Sequence, residues 1–220
     1  MKILFINPNS TESMTDKVRE TARAVLPDNV EVVAVSNADG PESIQGPDDG
    51  NAAIPGMPAE IKRSLNDGVD GIVIACFDDT GLANARALTS VPVLCIGHAA
   101  YQASMLLGLR FSVVTTLSVS VPVLESNIRQ FGCTDYCCKV RASEVPVLDL
   151  EKPGSEAQER VSREIATAIR EDNCESIVLG CAGMTDLAAK MSTAHQLPVI
   201  DGVAASSGLI YGLALYSTIQ

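Results

Sequence analysis

The chain contains the stretch Asp70-Gly-Ile-Val-Ile-Ala-Cys76-Phe-Asp-Asp-Thr80-Gly-Leu82 and, further on, Glu175-Ser-Ile-Val-Leu-Gly-Cys181-Ala-Gly-Met-Thr185-Asp-Leu187. The offset between the two is constant, 181 − 76 = 105 residues, and matching positions carry the same Ile, Val, Cys, Thr and Leu residues. In each stretch, an apolar run typical of a buried strand ends at a cysteine and is followed by a helix-like segment. The repeat predicts two similar α/β halves with a cysteine at the same structural point in each.

Strand-like and helix-like segments alternate outward from this repeat. Strands are predicted at 2–6, 30–36, 71–75 and 91–95 in the first half, and at 111–115, 145–148, 176–180 and 198–200 in the second. Helical spacing is found at 11–26, 59–66, 80–88, 99–107, 120–131, 155–171, 185–191 and 203–216. Asn9 with Glu12 fits a capping box before the first helix. Residues 37–58, rich in Gly, Pro, Asp and Ser, are predicted to form a long loop, of the kind that often walls a site.

This alternation predicts the fold class, because it is typical of parallel sheets covered by helices. We expect an α/β fold of two pseudo-symmetric halves, each with a mostly parallel four-stranded sheet flanked by helices. The active site is expected in the cleft between the halves. Residues 1–96 plus 202–220 are assigned to the first half, to which the C-terminal helix can return, and residues 97–201 to the second.

The composition argues against several classes of partner. Sixteen Lys and Arg against twenty-seven Asp and Glu give a net charge of −11, whereas a nucleic-acid partner demands a basic face. Aromatic residues make up only 4% of the chain and Trp is absent, so platforms for base stacking are not expected either. The longest apolar runs are interrupted well before the ~20 residues that span a membrane. The expected partner is therefore a small-molecule substrate.

Cysteine and histidine usage bears on compartment and metal binding. Seven cysteines, without the pattern of an export signal at the N-terminus, predict reduced thiols and a cytoplasmic location. Cys95-x-x-His98 has a ligand-like spacing but lacks a second pair, and no metal site is expected. Cys133, Cys137 and Cys138 cluster in a polar stretch, where the sequence assigns them no role.

The two repeated cysteines lie where ligands bind in open parallel sheets, outside the carboxyl ends of the strands. Free backbone N–H groups at the following helix start can hold an anionic oxygen, and the same environment is expected to lower a thiol pKa. Two such thiols facing each other across a pseudo-twofold cleft would remove a proton from one face of a carbon and return it to the other. A single cysteine in this position is more often a small core residue. Two in register favour function, and a disulfide between them would disable the chemistry.

Four segments carry a resemblance to a known family: Ile6-Asn-Pro-Asn-Ser-Thr11, Ile74-Ala-Cys-Phe-Asp-Asp-Thr-Gly-Leu82, Arg110-Phe-Ser-Val-Val-Thr-Thr-Leu117 and Val178-Leu-Gly-Cys-Ala-Gly-Met184. The sequence resembles the hydantoin racemases of the aspartate/glutamate racemase superfamily, essentially from end to end. The resemblance implies a cofactor-independent, two-cysteine racemase of 5-substituted hydantoins, or of the ureido-hydantoin allantoin. It also implies the two-half fold and a homo-oligomer. His98 departs from the Glu expected in many relatives.

The resemblance makes Cys76 and Cys181 the two acid/base residues. The backbone N–H groups that follow them are the expected donors to an enolate oxygen; these belong to Phe77, Asp78, Asp79, Thr80, Ala182, Gly183 and Met184. Asn9 resembles a substrate-contacting Asn of the family, although helix capping would explain it equally well. Thr115 and Thr116 are candidates to hydrogen-bond the substrate ring, and Ser43 and Ile44 to touch its 5-substituent.

Other functions remain open at this point. Amino-acid racemases of the superfamily would show Asn-Thr after the first cysteine and Thr-His after the second, where this chain has Phe-Asp and Ala-Gly. Arylmalonate decarboxylases resemble the fold but use one cysteine. A two-lobe binding module would leave the paired cysteines unexplained. The sequence does not choose between allantoin and amino-acid-derived hydantoins.

Overall fold

The computed structural model describes residues 1–152 and 156–217. In this part the chain forms the strands β1 (Lys2–Asn7), β2 (Glu31–Ser36), β3 (Gly71–Ile74), β4 (Val93–Cys95), β5 (Phe111–Thr115), β6 (Cys137–Ala142), β7 (Ser176–Gly180) and β8 (Val199–Ile200). They form two four-stranded sheets with the orders β2-β1-β3-β4 and β6-β5-β7-β8, and every neighbouring pair is parallel. The predicted α/β class with two parallel sheets is confirmed.

The repeated motif occupies the same place in both sheets. β3 pairs with β1, with Val73 opposite Phe5, and β7 pairs with β5, with Val178 opposite Val113. All residues of β3, β5 and β7 are buried, as expected for strands covered on both faces. The cysteine that follows each repeated strand therefore leaves a central strand at its carboxyl end.

Helices cover the two sheets and tie them together. They are α1 (Glu12–Val25), α2 (Pro47–Ala53), α3 (Met57–Asn66), α4 (Leu82–Ala87), α5 (Ile96–Leu106), α6 (Val121–Gln130), α7 (Ala157–Glu171), α8 (Ala188–His195) and α9 (Gly202–Ser217). α5 follows β4 but also packs on β7 and β8 of the other sheet, whereas α9 follows β8 and packs on β3 and β4. The approach of α9 is close, because a Cβ on Gly71 would lie 2.8 Å from a side-chain carbon of Ile210. This exchange of helices fixes one sheet against the other.

The strand predicted at 145–148 is wrong. The edge strand of the second sheet is β6, and Val147–Glu151 is a 3₁₀ helix. The sequence did not indicate a strand at β6, because Lys139 and Arg141 make this segment polar. The apolar residues after it face the interior without pairing with a strand: Val145 and Val147 are both buried.

The long loop predicted at 37–58 is partly helical. α2 and the 3₁₀ helix Ile54–Gly56 lie within it, and α3 begins at Met57. The helix-start signals were present in its loop-like composition, since Pro47 occupies the first turn of α2 together with Asp48 and Asp49.

The predicted capping box is also wrong, because the N-cap residue of α1 is Thr11 and not Asn9. The predicted start of a helix at Ser155 and the last residues of the first half, 218–220, lie outside the described residues. Among residues 1–152 and 156–217, no helix combines the length and apolar character needed to cross a bilayer.

A buried ion network stabilises the second half. Arg141 on β6 pairs with Asp172, at 2.6 Å from its Nε to Oδ2, and also with Glu164 and Glu171. The Asp172 side chain is only 4% exposed and accepts a further hydrogen bond from Ser112 on β5. The Arg141 guanidinium holds the pKa of Asp172 below its usual value despite partial burial. Because a buried carboxylate needs its cation, Arg141 fastens α7 to the edge of the sheet.

We expect the substitution Arg141→Ala to lower the free energy of unfolding by about 3 kcal/mol, because it leaves Asp172 buried and uncompensated. Chemical denaturation at neutral pH measures this loss. The matched control is Arg63→Ala, since Arg63 is 70% exposed in its pair with Glu60 and should cost less than about 1 kcal/mol. Equal losses in both variants would contradict the stabilising role of the network.

Candidate active site

Cys76 and Cys181 line one cavity at the carboxyl ends of the two sheets. The other lining residues come from both halves; they are Asn9, Met14, Ile44, Ala75, Phe77, Asp78, Thr116, Ser120, Val147, Gly180 and Ala182. The structure therefore brings together two thiols that are 105 residues apart in the chain (181 − 76). Apart from these thiols, Asp78 is the only ionisable side chain in that lining, within the part of the chain described.

The cavity is narrow, and hydrogen bonds join the two halves near it. Its volume is about 30 Å³, which is room for one water rather than for a substrate ring. Gln45 accepts a hydrogen bond from the backbone N–H of Val147 at 3.0 Å. Glu151 accepts from Ser13 at 2.6 Å and from Lys17 at 2.8 Å. These hydrogen bonds join the two halves, and the first of them ends on Val147, which lines the cavity.

Each cysteine sits in a tight turn after its strand. The Cys76 thiol donates to the Thr80 hydroxyl at 3.4 Å, and the N–H groups of Asp78 and Thr80 face its sulfur. The Cys181 sulfur accepts from the Gly183 N–H at 3.4 Å. A Cβ on Gly183 would lie only 3.3 Å from Leu150, which leaves little room for a larger residue in this turn.

The expected lowering of the thiol pKa is wrong. Burial raises the pKa of both Cys76 and Cys181 to about 12, and the nearby Asp78 carboxylate adds to the rise. The N–H groups that face the sulfurs lower the pKa but do not outweigh burial. The helix start is also less favourable than predicted, since α4 begins only at Leu82 and Cys181 is followed by the 3₁₀ helix Ala182–Leu187.

Several predicted oxyanion donors are already engaged. The Asp79 N–H donates to the Cys76 carbonyl at 3.2 Å, and the Met184 N–H donates to the Cys181 carbonyl at 3.1 Å. As described above, the N–H groups of Asp78, Thr80 and Gly183 face the sulfurs, where they favour a thiolate. Phe77 and Ala182 line the cavity, and their N–H groups are the candidates that remain.

The predicted side-chain contacts divide in two. Asn9, Ile44, Asp78 and Thr116 line the cavity. Thr80 does not line it, but its hydroxyl accepts a hydrogen bond from the Cys76 thiol, which does. Four others turn elsewhere. Thr115 donates to the Gly180 carbonyl at 2.9 Å, Met184 packs in the core, Ser43 is buried outside the lining, and the Asp79 carboxyl accepts from the His98 N–H at 3.3 Å. Burial raises the pKa of Asp79 to about 7.

Asn9 is held by a local network that leaves its amide nitrogen toward the cavity. Its Oδ1 accepts from the Asn7 side chain at 2.8 Å and from the Thr11 N–H at 2.9 Å. Asn7 in turn donates to the Thr15 hydroxyl at 3.0 Å. With its oxygen engaged, Asn9 presents N–H donors at the site, next to the sulfur of Met14 at 3.6 Å.

Five residues of the cavity lining were not predicted from the sequence: Met14, Ala75, Ser120, Val147 and Gly180. The repeat contained a signal for two of them, since Ala75 and Gly180 are the small residues that precede the paired cysteines at the same offset, 180 − 75 = 105. A Cβ on Gly180 would lie 2.7 Å from the Cβ of Thr115. Met14 lies within the helix predicted at 11–26, and Val147 within the strand predicted at 145–148.

The structure also bears on metal binding. Within the described residues, no three His, Cys, Asp or Glu side chains are grouped so that they could hold a metal ion. All seven cysteines lie in this part of the chain, and each is a free thiol.

Comparison with known proteins decides the family. Residues 3–208 match the family of Asp/Glu/hydantoin racemases. This chain belongs to that family. The hydantoin racemase of Rhizobium meliloti is 46% identical over 94% of this chain and 86% of its own length, and that of Pseudomonas sp. strain NS671 is 39% identical over 93% and 82%. The solved allantoin racemase of Klebsiella pneumoniae has a TM-score of 0.94 and 36% identity, and covers 99% of this chain and 89% of its own. Membership in this racemase family confirms the predicted enzyme class, an isomerase.

The raised thiol pKa values can be measured directly. We expect the rate at which iodoacetamide alkylates Cys76 and Cys181 to rise about tenfold per pH unit from about pH 7 to about pH 9, because only the thiolate reacts. Peptide mass spectrometry gives the rate at each cysteine. Free cysteine is the reference, with a rate that levels off above its pKa of about 8.5. A rate at either site that levels off near neutral pH would support the lowered pKa predicted from the sequence.

Proposed function

We propose that this family member inverts C5 of 5-substituted hydantoins by proton transfer between Cys76 and Cys181, without a cofactor. One observation carries the proposal: the two thiols follow equivalent strands of two similar halves and line the same cavity. That placement suits removal of a proton from one face of a carbon and its return to the other. The hydantoin racemases among the relatives, with identities up to 46%, support the substrate class.

The cavity lining favours an uncharged substrate. No Lys or Arg is present among the lining residues in the described part of the chain. A free amino acid or an arylmalonate carries a carboxylate, whose burial without a cationic partner is costly. A hydantoin ring offers neutral carbonyl and N–H groups instead, which the amide of Asn9 and the hydroxyl of Thr116 can bind.

Allantoin is the second candidate substrate, because it is itself a hydantoin with a ureido group at C5. The specific observation in its favour is the fold similarity to the Klebsiella pneumoniae allantoin racemase, which covers 99% of this chain. Its ureido group is neutral and rich in N–H donors, so the charge argument admits it equally.

The proposed reaction begins with one cysteine as thiolate and the other as thiol. The thiolate takes the C5 proton, and the electron pair of the C–H bond moves into the ring as an enolate with its charge on the adjacent carbonyl oxygen. In this proposal that oxygen is stabilised by the Asn9 amide and by the N–H groups of Phe77 and Ala182, three residues that line the cavity. The second thiol then delivers its proton to the opposite face of C5, and the two cysteines end with their protonation states exchanged.

The high thiol pKa has a use in this scheme. Once the cleft closes around an uncharged ring, a poorly solvated thiolate of high pKa is a strong base. The enolate it generates is reprotonated by a thiol of similar pKa, so the two steps are balanced in both directions. Because only a small fraction of the cysteines is thiolate at neutral pH, the racemase activity should rise as the pH increases above neutral.

We also propose the division of the chain into residues 1–96 plus 202–220 and residues 97–201, and a cytoplasmic location. The division is supported by α9, which returns to β3, and by α5, which contacts the second sheet. The free state of the seven cysteines supports a reducing compartment.

A homo-oligomer is proposed from an apolar surface on α5 and α9. No charged residue is present in α9, and a helix that is apolar all round is usually buried. Leu213, Leu215 and Tyr216 on α9 are nevertheless exposed, as are Leu106, 73% exposed, and Leu107 at the end of α5. Because α5 and α9 pack along each other, this surface can bury itself against a second copy of the chain.

Analytical ultracentrifugation tests the proposed assembly. We expect the wild type to sediment as an oligomer and the double variant Leu215→Asp with Tyr216→Asp to shift toward the monomer, because the two charges would be buried at the interface. Tyr136→Asp is the control, since Tyr136 is similarly exposed but precedes β6, which packs against β5, α6 and α7. A monomeric wild type, or an unchanged double variant, would contradict the assignment.

The proposed roles of the cysteines predict different isotope behaviour in two variants. Cys76→Ser and Cys181→Ser should each abolish racemisation, since one direction loses its base and the other its acid. In D₂O the remaining thiolate should still exchange the C5 proton of one enantiomer with retention, and the two variants should act on opposite enantiomers. Chiral chromatography with NMR of the C5 proton measures both effects.

The double variant supplies the rate of spontaneous exchange, which must be subtracted. Racemisation close to the wild-type rate in either single variant would contradict the two-thiol mechanism, as would exchange of the same enantiomer by both.

A further inference from the structure

Asp78 lines the cavity that holds the two thiols and is fixed by contacts from the opposite half of the molecule. It follows Cys76 by two residues and lines the cavity shared with Cys181. Its Oδ2 accepts a hydrogen bond from the Ser120 hydroxyl at 3.2 Å, and its backbone carbonyl accepts from the Asn127 amide at 2.9 Å. Ser120 and Asn127 belong to the second half, so the position of Asp78 is set by contacts that cross the cleft.

The charge of this carboxylate is not neutralised nearby. None of the ion pairs formed by residues 1–152 and 156–217 includes Asp78. Its influence reaches both reacting thiols, because it raises the pKa of Cys76 and that of Cys181. Burial raises its own pKa to about 6, so at neutral and alkaline pH it is an anion.

We propose that Asp78 is a specificity-determining residue, whose carboxylate accepts an N–H group of the uncharged substrate and excludes anionic ligands from the cavity. A carboxylate has about four acceptor sites, of which the Ser120 hydroxyl uses one. The remaining sites suit the ring N–H on one side of C5. The carbonyl on the other side of C5, where the enolate charge develops, then points away from Asp78. A ligand with its own negative charge meets a like charge that no cation among the described lining residues offsets. The proposal rests on the proposed function for its substrate class, but the charge filter can be tested without a substrate.

Two alkylating reagents of almost equal size provide that test. Iodoacetamide is neutral and iodoacetate is an anion, and both transfer their carbon to the cysteine sulfur with loss of iodide. Their rate ratio at a given cysteine is independent of its thiolate fraction, because both react with the same thiolate. We expect the ratio at Cys76 and Cys181, divided by the ratio for free cysteine, to be at least about tenfold in the wild type at about pH 8.

The variant Asp78→Asn should bring that normalised ratio to within about threefold of unity, because it removes the charge and keeps the shape. Asp79→Asn is the matched control: it is the same substitution at the next residue, whose carboxyl faces the start of α5 and does not line the cavity. It should retain the wild-type ratio. Cys138, on the distant edge strand β6, is an internal control whose ratio should be the same in all three proteins.

A wild-type ratio close to that of free cysteine would overturn the proposal even if Asp78→Asn failed to fold. An unchanged ratio in Asp78→Asn, or an equal fall in Asp79→Asn, would overturn it as well.

A substrate pair then separates this proposal from the proposed function. Hydantoins with carbamoylmethyl and carboxymethyl groups at C5 are nearly isosteric and differ in charge. We expect the wild type to favour the amide in kcat/KM by at least about tenfold and Asp78→Asn to reduce that preference. Racemisation of both at similar rates would contradict the filter and leave the proposed function intact. Racemisation of neither, with the alkylation ratios as expected, would contradict the hydantoin substrate and leave the filter standing.

Discussion

The exchange of α5 and α9 between the two sheets is the constraint on which the site depends. Each helix follows the last strand of one sheet and packs against the other, and the two helices meet where Gly202 lies against the Ile96 carbonyl. A Cβ on Gly202 would come within 2.7 Å of that oxygen, so the crossing leaves no room for a larger residue. With the sheets locked in this way, the carboxyl ends of β3 and β7 open into one cavity. Two equivalent cysteines therefore form one pair in a shared cavity, as the proposed acid/base chemistry requires.

Burial sets the chemistry of that pair. The same closed packing that places the thiols together also desolvates them, and desolvation outweighs the few N–H groups that face the sulfurs. Asp78 adds a negative charge to a cavity that holds no lysine or arginine among its described lining residues. In this environment only a small fraction of the thiols is ionised, but each thiolate is a strong base. An uncharged ring is the class of substrate whose transfer into the cavity costs the least free energy.

The repeat in the sequence was sufficient to predict the fold class and the equivalent positions of Cys76 and Cys181 at two strand ends, because strands and their ends are local properties of the chain. It was not sufficient to predict β6, because that strand contains the charged residue Arg141. The charge of Arg141 is compensated by carboxylates of α7 and the residue after it, which are distant from β6 in the sequence. The predicted lowering of the thiol pKa was wrong for a related reason. Burial of the thiols depends on how the two halves pack against each other, and a local sequence pattern does not contain that information. Met14, Ser120 and Val147 reach the cavity through this tertiary packing too, whereas Ala75 and Gly180 could have been recognised from the repeat.

The measurement that tests the central claim most directly is the early time course of the wild-type enzyme in D₂O with a single enantiomer of a 5-substituted hydantoin. Two thiols on opposite faces of C5 predict that the first product molecules carry deuterium at C5, while the remaining substrate still carries hydrogen. The proton taken by one thiol is then returned only to the face from which it came. Product that retains the substrate's hydrogen, or deuterium that enters substrate and product equally from the start, would show that one base serves both faces and would contradict the account.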